Sequence, residues 1–295
     1  MSTPQRIAGI FDAVGVDAHL HAVDIDSRAE IGIKADEHVV LASIFKILLV
    51  LEFARQAAAG QLDPTERVVV RAADRLGGWG TGGCADDAEL SLRDLAYFAM
   101  AFTDNTAADL LMRRVGADVL PLLAAELGLT ATRITGGPRQ LLESMYADVG
   151  ARDDAEFVAI FPTLTEERVR ALSVFDPART TSSTPREVNR LLGMIWRDEA
   201  GPPAATAIVR GLLARQIFWT RIQSGFPPDV RVYAKTGTLP GLHMEAGVVE
   251  YPDGGRYALS IFARARSGQQ ARRIDIDLAM GEAARTAVEG LRDQH

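Results

Sequence analysis

Apolar residues recur along this chain at two spacings, and the spacing changes twice between the first residue and the last. Near the start, Ile7, Ile10, Phe11 and Val14 share one face at helical spacing. Thr3 and Pro4 supply an N-cap and a first helical position, and Gly15 supplies a stop. The period then drops to two. Residues 19–25 and 30–34 predict short strands around the turn Asp26-Ser27-Arg28. Residues 43–59 predict one long helix ending at Gly60, apolar nearly all round at its start. A helix with no wet face has to run through the middle of the molecule.

From about residue 62 to 210 the strand signals fade and capped helices follow one another. Ser91 with Asp94, Thr163 with Glu166, and Thr184 with Glu187 have the spacing of capping boxes. The period of two returns at 230–234, 244–251 and 256–263, the last two joined by Pro252-Asp253-Gly254-Gly255. A final helix, about 272–291, carries Ile276, Met280, Ala283, Ala287 and Leu291 on one face. The order predicts an α/β (α+β) fold with one antiparallel sheet of about five strands, built from both termini and flanked by helices. Residues 1–61 and 211–295 would form that part, with residues 62–210 inserted as an all-helical subdomain. Together they would make one catalytic unit, with a cleft at the junction as the natural place for a ligand. No internal repeat interrupts this order.

Composition narrows the partners. A net charge of −7 and a pI near 5.3 argue against nucleic acid or an anionic membrane, each of which would need a basic face. The longest apolar run, from Ile47 through Leu51 to Phe53, is broken by Glu52 and is too short to span a bilayer. With Met1 as the natural start, no apolar export core follows it, and a cytoplasmic location is expected. The one cysteine, Cys84, excludes an intrachain disulfide and reads as a small loop residue. His19, His21, His38, His243 and His295 show no metal-ligand spacing, so neither a metal nor a cofactor is expected. The expected partner is a small molecule, and the expected state a monomer or weak dimer.

Lysine usage carries the chemistry. Of 32 lysines and arginines only three are lysine, and two of these, Lys46 and Lys235, stand in motifs. A guanidinium keeps its proton near neutral pH, whereas an ammonium releases it when burial and a second cation depress its pKa. Ser43-Ile44-Phe45-Lys46 puts a hydroxyl and an amine on neighbouring positions of one helix face. Bringing a lysine from its ordinary pKa to near 7 takes about 4 kcal/mol, which burial beside Ile44, Phe45, Ile47 and Leu48 together with the charge of Lys235 can supply. Alone, the pattern also fits a serine N-cap followed by a snorkelling lysine. Thr103-Asp104-Asn105 and Lys235-Thr236-Gly237-Thr238 add a hydroxyl, an amide and a second amine, the groups needed to relay a proton and hold an amide substrate. At the end of a strand, Gly237 lets a substrate lie against the edge.

Together these three motifs resemble those of serine hydrolases of the class A β-lactamase and penicillin-binding protein superfamily, over most of the chain. Leu41-Ala42-Ser43-Ile44-Phe45-Lys46, Thr103-Asp104-Asn105-Thr106-Ala107-Ala108 and Ala234-Lys235-Thr236-Gly237-Thr238 are similar to their counterparts, in the same order. The resemblance implies Ser43 as nucleophile, Lys46 as base for acylation, and Thr103 in place of the serine that passes a proton to the leaving nitrogen. Asn105 would hold the substrate's carbonyl and orient Lys46. Lys235 would lower the pKa of its neighbours and attract a carboxylate beside Thr236 and Gly237. The N–H groups of Ser43 and Thr238 would form the oxyanion hole. Arg221, fourteen positions before Lys235, stands where some relatives supply the arginine that fixes a substrate carboxylate. The usual donor after Lys-Thr-Gly is absent, since residues 242–247 contain no arginine. Trp79, between glycines, reads as an aromatic wall at the rim or as core packing.

The likeness fails at deacylation. The relatives' Glu-x-x-Leu-Asn loop is missing, and after Thr132-Arg133-Ile134 the chain continues Thr135-Gly136-Gly137-Pro138-Arg139 into an insertion at about 139–178. Glu143, Glu166 and Glu167 are the carboxylates available within it. Without a placed general base, water attack on an acyl-enzyme would lose roughly 10²–10⁴-fold. The expectation is therefore a serine acyl-hydrolase that opens β-lactams through a Ser43 acyl-enzyme and turns over slowly. An esterase or D,D-peptidase-like amidase, and a non-catalytic β-lactam sensor, are the alternatives.

Overall fold

Helix α1 (Thr3–Ala13) buries Ile7 and Phe11 and exposes the rest of its surface. Its N-cap is Ser2, whose N–H donates to Gln5 Oε1 at 2.9 Å, so the helix starts one residue before the expected Thr3. Proline tolerates any place in a first turn, and its position alone does not set the register. In the computed structural model, residues 1–267 and 273–294 are described.

Strands β1 (Val16–Asp24) and β2 (Glu30–Ile33) form a hairpin, followed by the short β3 (Val39–Val40). A 3-10 turn, Ala42–Phe45, leads into α2 (Lys46–Ala58). The single helix expected over 43–59 is thus two pieces, and Ser43 lies in the tighter one. Residues 46–54 of α2 are buried without exception, as the missing wet face required.

The helical middle opens with the ribbon β4 (Arg67–Val70) and β5 (Ala88–Ser91), which the sequence pattern did not announce. Helices α3 (Leu92–Ala101), α4 (Asn105–Val115), α5 (Val119–Glu126), α6 (Pro138–Val149), α7 (Asp154–Ile160) and α8 (Glu166–Arg170) follow. Then come β6 (Ser182–Ser183), α9 (Pro185–Trp196) and α10 (Pro203–Leu213). Ser91 caps α3 through Asp94 N–H at 3.2 Å, and Thr184 caps α9 through Glu187 N–H at 3.2 Å. The Glu187 carboxylate turns instead to Ala131 N–H and Thr132 Oγ1, at 2.9 and 2.8 Å. The Thr163–Glu166 box does not form. Thr165 caps α8 through Arg168 N–H, and the Thr163 hydroxyl donates to the Ile160 carbonyl at 2.7 Å.

The main sheet is five-stranded and antiparallel in the order β2-β1-β9-β8-β7, with β7 (Arg231–Leu239), β8 (Leu242–Glu250) and β9 (Arg256–Ala265). β7 runs on past the expected 230–234 through the whole Lys-Thr-Gly motif, because every residue to Leu239 finds a partner on β8. Side chains on β9 alternate between two cores: Ala258 and Phe262 face the one holding α2 and α9, while Leu259, Ile261 and Ala263 face α1 and α11 (Ile274–Arg292). Residue 272, the expected start of α11, lies outside the described residues. Covered on both faces, the sheet offers substrate only its edge, and β7 is that edge. Among the described residues no helix is long and apolar enough to cross a membrane.

Candidate active site

Three segments meet beside β7. The first is the 3-10 turn carrying Ser43, where the first N–H groups have no acceptor inside the turn. Its first residue, Ala42, holds φ +39°, a left-handed value rare for a residue with a side chain. The second is the turn into α4, where Thr103 holds φ +54°. A β-branched residue there is strained, and such strain persists only where the surroundings enforce it. Its hydroxyl is buried and has no hydrogen-bond partner among the described residues. The third is β7 itself. A side-chain carbon at Gly237 would lie 3.1–3.3 Å from Met244 Sδ, Ile44 Cγ1 and the Leu41 carbonyl oxygen, so a larger residue would push the strand and the nucleophile turn apart by a few tenths of an ångström.

Lys46 is fully buried, and its ammonium group reaches the Thr103 carbonyl at 2.7 Å, Asn105 Oδ1 at 2.9 Å and the Asp104 carbonyl at 3.2 Å. Among the described residues no hydrogen bond joins it to Ser43, which stands one 3-10 turn away. Burial lowers the Lys46 pKa to about 7, against the opposing charge of Asp104. Asp104 is equally buried: Oδ1 caps α4 through Ala107 N–H at 3.0 Å, while Oδ2 accepts from Thr81 N–H and Oγ1 at 2.6 and 2.8 Å. Lys235, also sealed from solvent, donates to the carbonyl of its neighbour Thr236 at 2.8 Å. Burial pushes it well below the ordinary lysine value, and the nearby Lys46 pushes the same way while Glu245 resists. A proton on Lys46 thus opposes a proton on Lys235.

Arg221 is buried and almost fully engaged. Its Nε meets Asp277 at 2.8 Å, Nη1 the carbonyls of Gly237 and Met244 at 2.8 and 2.7 Å, and Nη2 Thr238 Oγ1 at 2.9 Å. The guanidinium therefore faces the substrate edge through the Thr238 hydroxyl, whose own proton stays available to an acceptor. Burial pushes Asp277 up, but its hydrogen bond from His243 at 2.7 Å and the charge of Arg221 hold it at about 2.

Beside Ser43 opens a cavity of about 420 Å³, lined by Ser43, Asn105 and Thr238 on one side and by residues 135–138, 140–142, 144–145 and 179–181 on the other. Leu141, Leu142, Met145, Phe45 and Pro138 make much of its wall, and no aspartate or glutamate is among the described lining residues. Glu143, Glu166 and Glu167 are exposed on α6 and α8, and none of the three lines the cavity. Trp79 is no core residue: it is 64% exposed, sets its ring edge-on to Phe218 at 6.1 Å, and stands outside the lining.

The sequence reading missed Glu245 and Gln216, which lie behind the Lys-Thr-Gly strand. Glu245 is buried on β8 opposite Thr236, and burial raises its pKa to about 7 against the charge of Arg221 and two hydrogen bonds. The signal was visible as a carboxylate in mid-strand, between Met244 and Ala246. For Gln216 there was none.

A helix-borne serine and lysine, a buried second amine on a sheet edge, and a sheet covered on both faces define a serine hydrolase of the acyl-transferring kind. The chain belongs to the beta-lactamase enzyme family, whose profile matches residues 3–291. It is 26% identical over 260 residues to the beta-lactamase regulatory protein BlaB of Streptomyces cacaoi, covering 82% of this chain and 83% of that protein. In fold it is similar to the class A beta-lactamase from Mycobacterium abscessus, with a TM-score of 0.79 at 17% identity over 98% of this chain and 99% of that one. A PBP-A mutant, solved as an acyl-enzyme complex with penicillin G, superposes with a TM-score of 0.76 at 18% identity over 99% and 96% of the two chains.

Proposed function

We propose that this protein opens β-lactam amides through an acyl-enzyme on Ser43 and releases the acyl group slowly. The observation that carries the reading is the pair of dry amines beside a cavity whose described lining contains no carboxylate: Lys46 bonds to the lining residue Asn105, and Lys235 lies close enough to feel the charge of Lys46. Ser43 Oγ attacks the lactam carbonyl carbon while its proton passes to neutral Lys46. The oxyanion takes the N–H groups of Ser43 and Thr238, each such donor contributing roughly 3–4 kcal/mol in the transition state. As the C–N bond breaks, the Thr103 hydroxyl delivers its proton to the leaving nitrogen and takes in exchange the one Lys46 received from Ser43, which leaves Lys46 neutral again, with Lys235 keeping the relay electropositive. Asn105 orients Lys46 and holds the substrate amide. Thr236, Gly237 and Thr238, backed by Lys235 and Arg221, take a substrate carboxylate.

Water must then attack the ester, and an apolar wall offers it no base; the cost is roughly 10²–10⁴-fold. Intact-protein mass spectrometry after mixing with penicillin G tests the reading. The expected result is an adduct of the full drug mass that persists on Ser43 and is lost in Ser43→Ala. Rapid disappearance of the adduct with product release overturns slow deacylation. Turnover of a short-chain nitrophenyl ester without lactam opening favours an esterase or amidase instead.

A second reading, a β-lactam sensor that holds its acyl group, draws on the regulatory name of the Streptomyces cacaoi relative and on the carboxylate-free wall. A lifetime of the adduct beyond hours, with no detectable turnover, would favour it.

A further inference from the structure

Two main-chain donors, Thr236 N–H on β7 and Ile222 N–H in the 3-10 turn Ile222–Gly225 that precedes β7, are joined by a chain of two side chains. Thr236 N–H donates to Gln216 Oε1 at 2.6 Å, Gln216 Nε2 donates to Glu245 Oε1 at 2.7 Å, and Ile222 N–H donates to Glu245 Oε2 at 2.6 Å. Both ends of this chain are donors that cannot be reversed. A carboxamide brings one acceptor and one donor, so the remaining link has to accept twice. Only a carboxylate does so, and burial of a charged group there is otherwise costly.

The chain lies where the substrate edge is made. In an antiparallel pair a residue's N–H and C=O point to the same side, and the sides alternate. Thr236 N–H meets Gln216 and not β8, so the N–H of Thr238, two residues on, also faces away from β8. Gln216 thus covers one N–H of the open edge and leaves the next one bare. The residue before Ile222 is Arg221, whose Nη2 holds Thr238 Oγ1.

We propose that Glu245, acting through Gln216 and Ile222 N–H, is the positioning residue that sets the edge of β7 and delivers Arg221 to Thr238. Its role in acylation rests on the function proposed above; its role in holding the edge does not. It makes no contact with the cavity at Ser43 and is not part of the family motifs described above.

Exchanging the polarity of the chain tests this. Glu245→Gln sets an N–H against an N–H, and Gln216→Glu sets two carboxylates together, so each single change breaks the chain. The double variant, Gln216→Glu with Glu245→Gln, restores it: Thr236 N–H to a carboxylate, a carboxamide N–H to the same carboxylate, and Ile222 N–H to the carboxamide oxygen. Its one loss is the longer bond from Gln216 to the Phe218 carbonyl, 3.2 Å in the native chain. The readouts are the acylation rate by penicillin G and the amide hydrogen exchange of Thr236 and Ile222.

We expect each single variant to acylate at least ten-fold more slowly and to lose protection at both amides, with the double variant recovering to within about three-fold of the native rate, as coupled neighbours do. A Glu245→Gln variant that acylates at the native rate, or a double variant no better than the poorer single one, overturns the proposal. Should the native protein fail to acylate at all, the exchange readout alone decides the positioning claim. Protection lost and then restored keeps that claim while the proposed function falls.

Discussion

Asn105 Oδ1 stands 2.9 Å from Lys46 Nζ, and the carbonyls of Thr103 and Asp104 complete a set of three acceptors around the same nitrogen. Three acceptors match the three N–H bonds of an ammonium, whereas a neutral amine has two. To serve as base, Lys46 has to release one of these carbonyls and turn its lone pair toward Ser43. The resting geometry thus favours the proton that burial opposes.

Acylation should therefore rise with pH through about 7, the value to which burial lowers Lys46. Below it the ammonium has no lone pair; above it the amine is free to act. In the unfolded chain this lysine keeps its proton up to its ordinary pKa. Between pH 7 and that value the unfolded state binds the extra proton, so this group's penalty on folding shrinks as pH rises. Stopped-flow acylation by penicillin G from pH 5.5 to 9 reads the limb, and a flat profile would contradict the role of Lys46.

Lys46→Met should cut acylation by roughly 10²–10⁴-fold. Methionine fills a similar volume and removes a buried cation, but it leaves the Thr103 and Asp104 carbonyls and Asn105 Oδ1 without their donor, so the melting temperature should fall. Adduct formation followed by mass, beside a thermal melt, separates the two effects.

At Thr103 the hydroxyl and the backbone strain come apart. Thr103→Ser keeps the hydroxyl, drops the methyl group, and should acylate near the native rate. Thr103→Val keeps the shape and the left-handed backbone but removes the proton donor, and acylation should fall by roughly 10²–10⁴-fold. Equal rates in the two variants would exclude the hydroxyl from the relay.

Gly80→Ala should destabilise the protein by about 2–3 kcal/mol in a denaturant titration. Gly80 holds φ +79°, and a side-chain carbon there would lie 2.4 Å from Asp104 Oδ2. Because Asp104 shapes the turn that carries Thr103 and Asn105, acylation should weaken as well.

Arg221→Leu should weaken penicillin G more than an uncharged nitrophenyl ester. The guanidinium acts at the substrate edge by holding the Thr238 hydroxyl, so its loss falls on carboxylate binding, seen as a higher substrate concentration for half-maximal acylation. Leaving Asp277 with His243 and the Thr220 hydroxyl but without the guanidinium should also cost about 3 kcal/mol of stability.

Much of this was legible in the chain. The two changes of hydrophobic period located the strands at both ends and the helices between them, and the buried helix announced itself by having no polar face. Ser43, Lys46, Asn105 and Lys235 were named by motif; Ser43 and Asn105 line one cavity, and Lys46 bonds to Asn105 behind it. Errors came where the local signal was ambiguous. Thr163 and Thr165 both offer a hydroxyl before a glutamate, and packing chose the second. The turn at Ser43 tightened into a 3-10 form because β7 and the Thr103 turn close on it from outside, which no local pattern records.

The sequence by itself determined which chemical groups are present and their order: one nucleophile, two spared lysines, and no deacylation motif of the family's kind. Tertiary structure decided what those groups are able to do. Only folding seals both amines from water, ringing Lys46 with three acceptors and lining the cavity with leucines while Glu143, Glu166 and Glu167 stay outside. The reason is that a pKa and a hydrogen-bond polarity belong to a surrounding, and these surroundings come from residues far apart in the chain, as when Gln216 and Glu245 join Thr236 to Ile222.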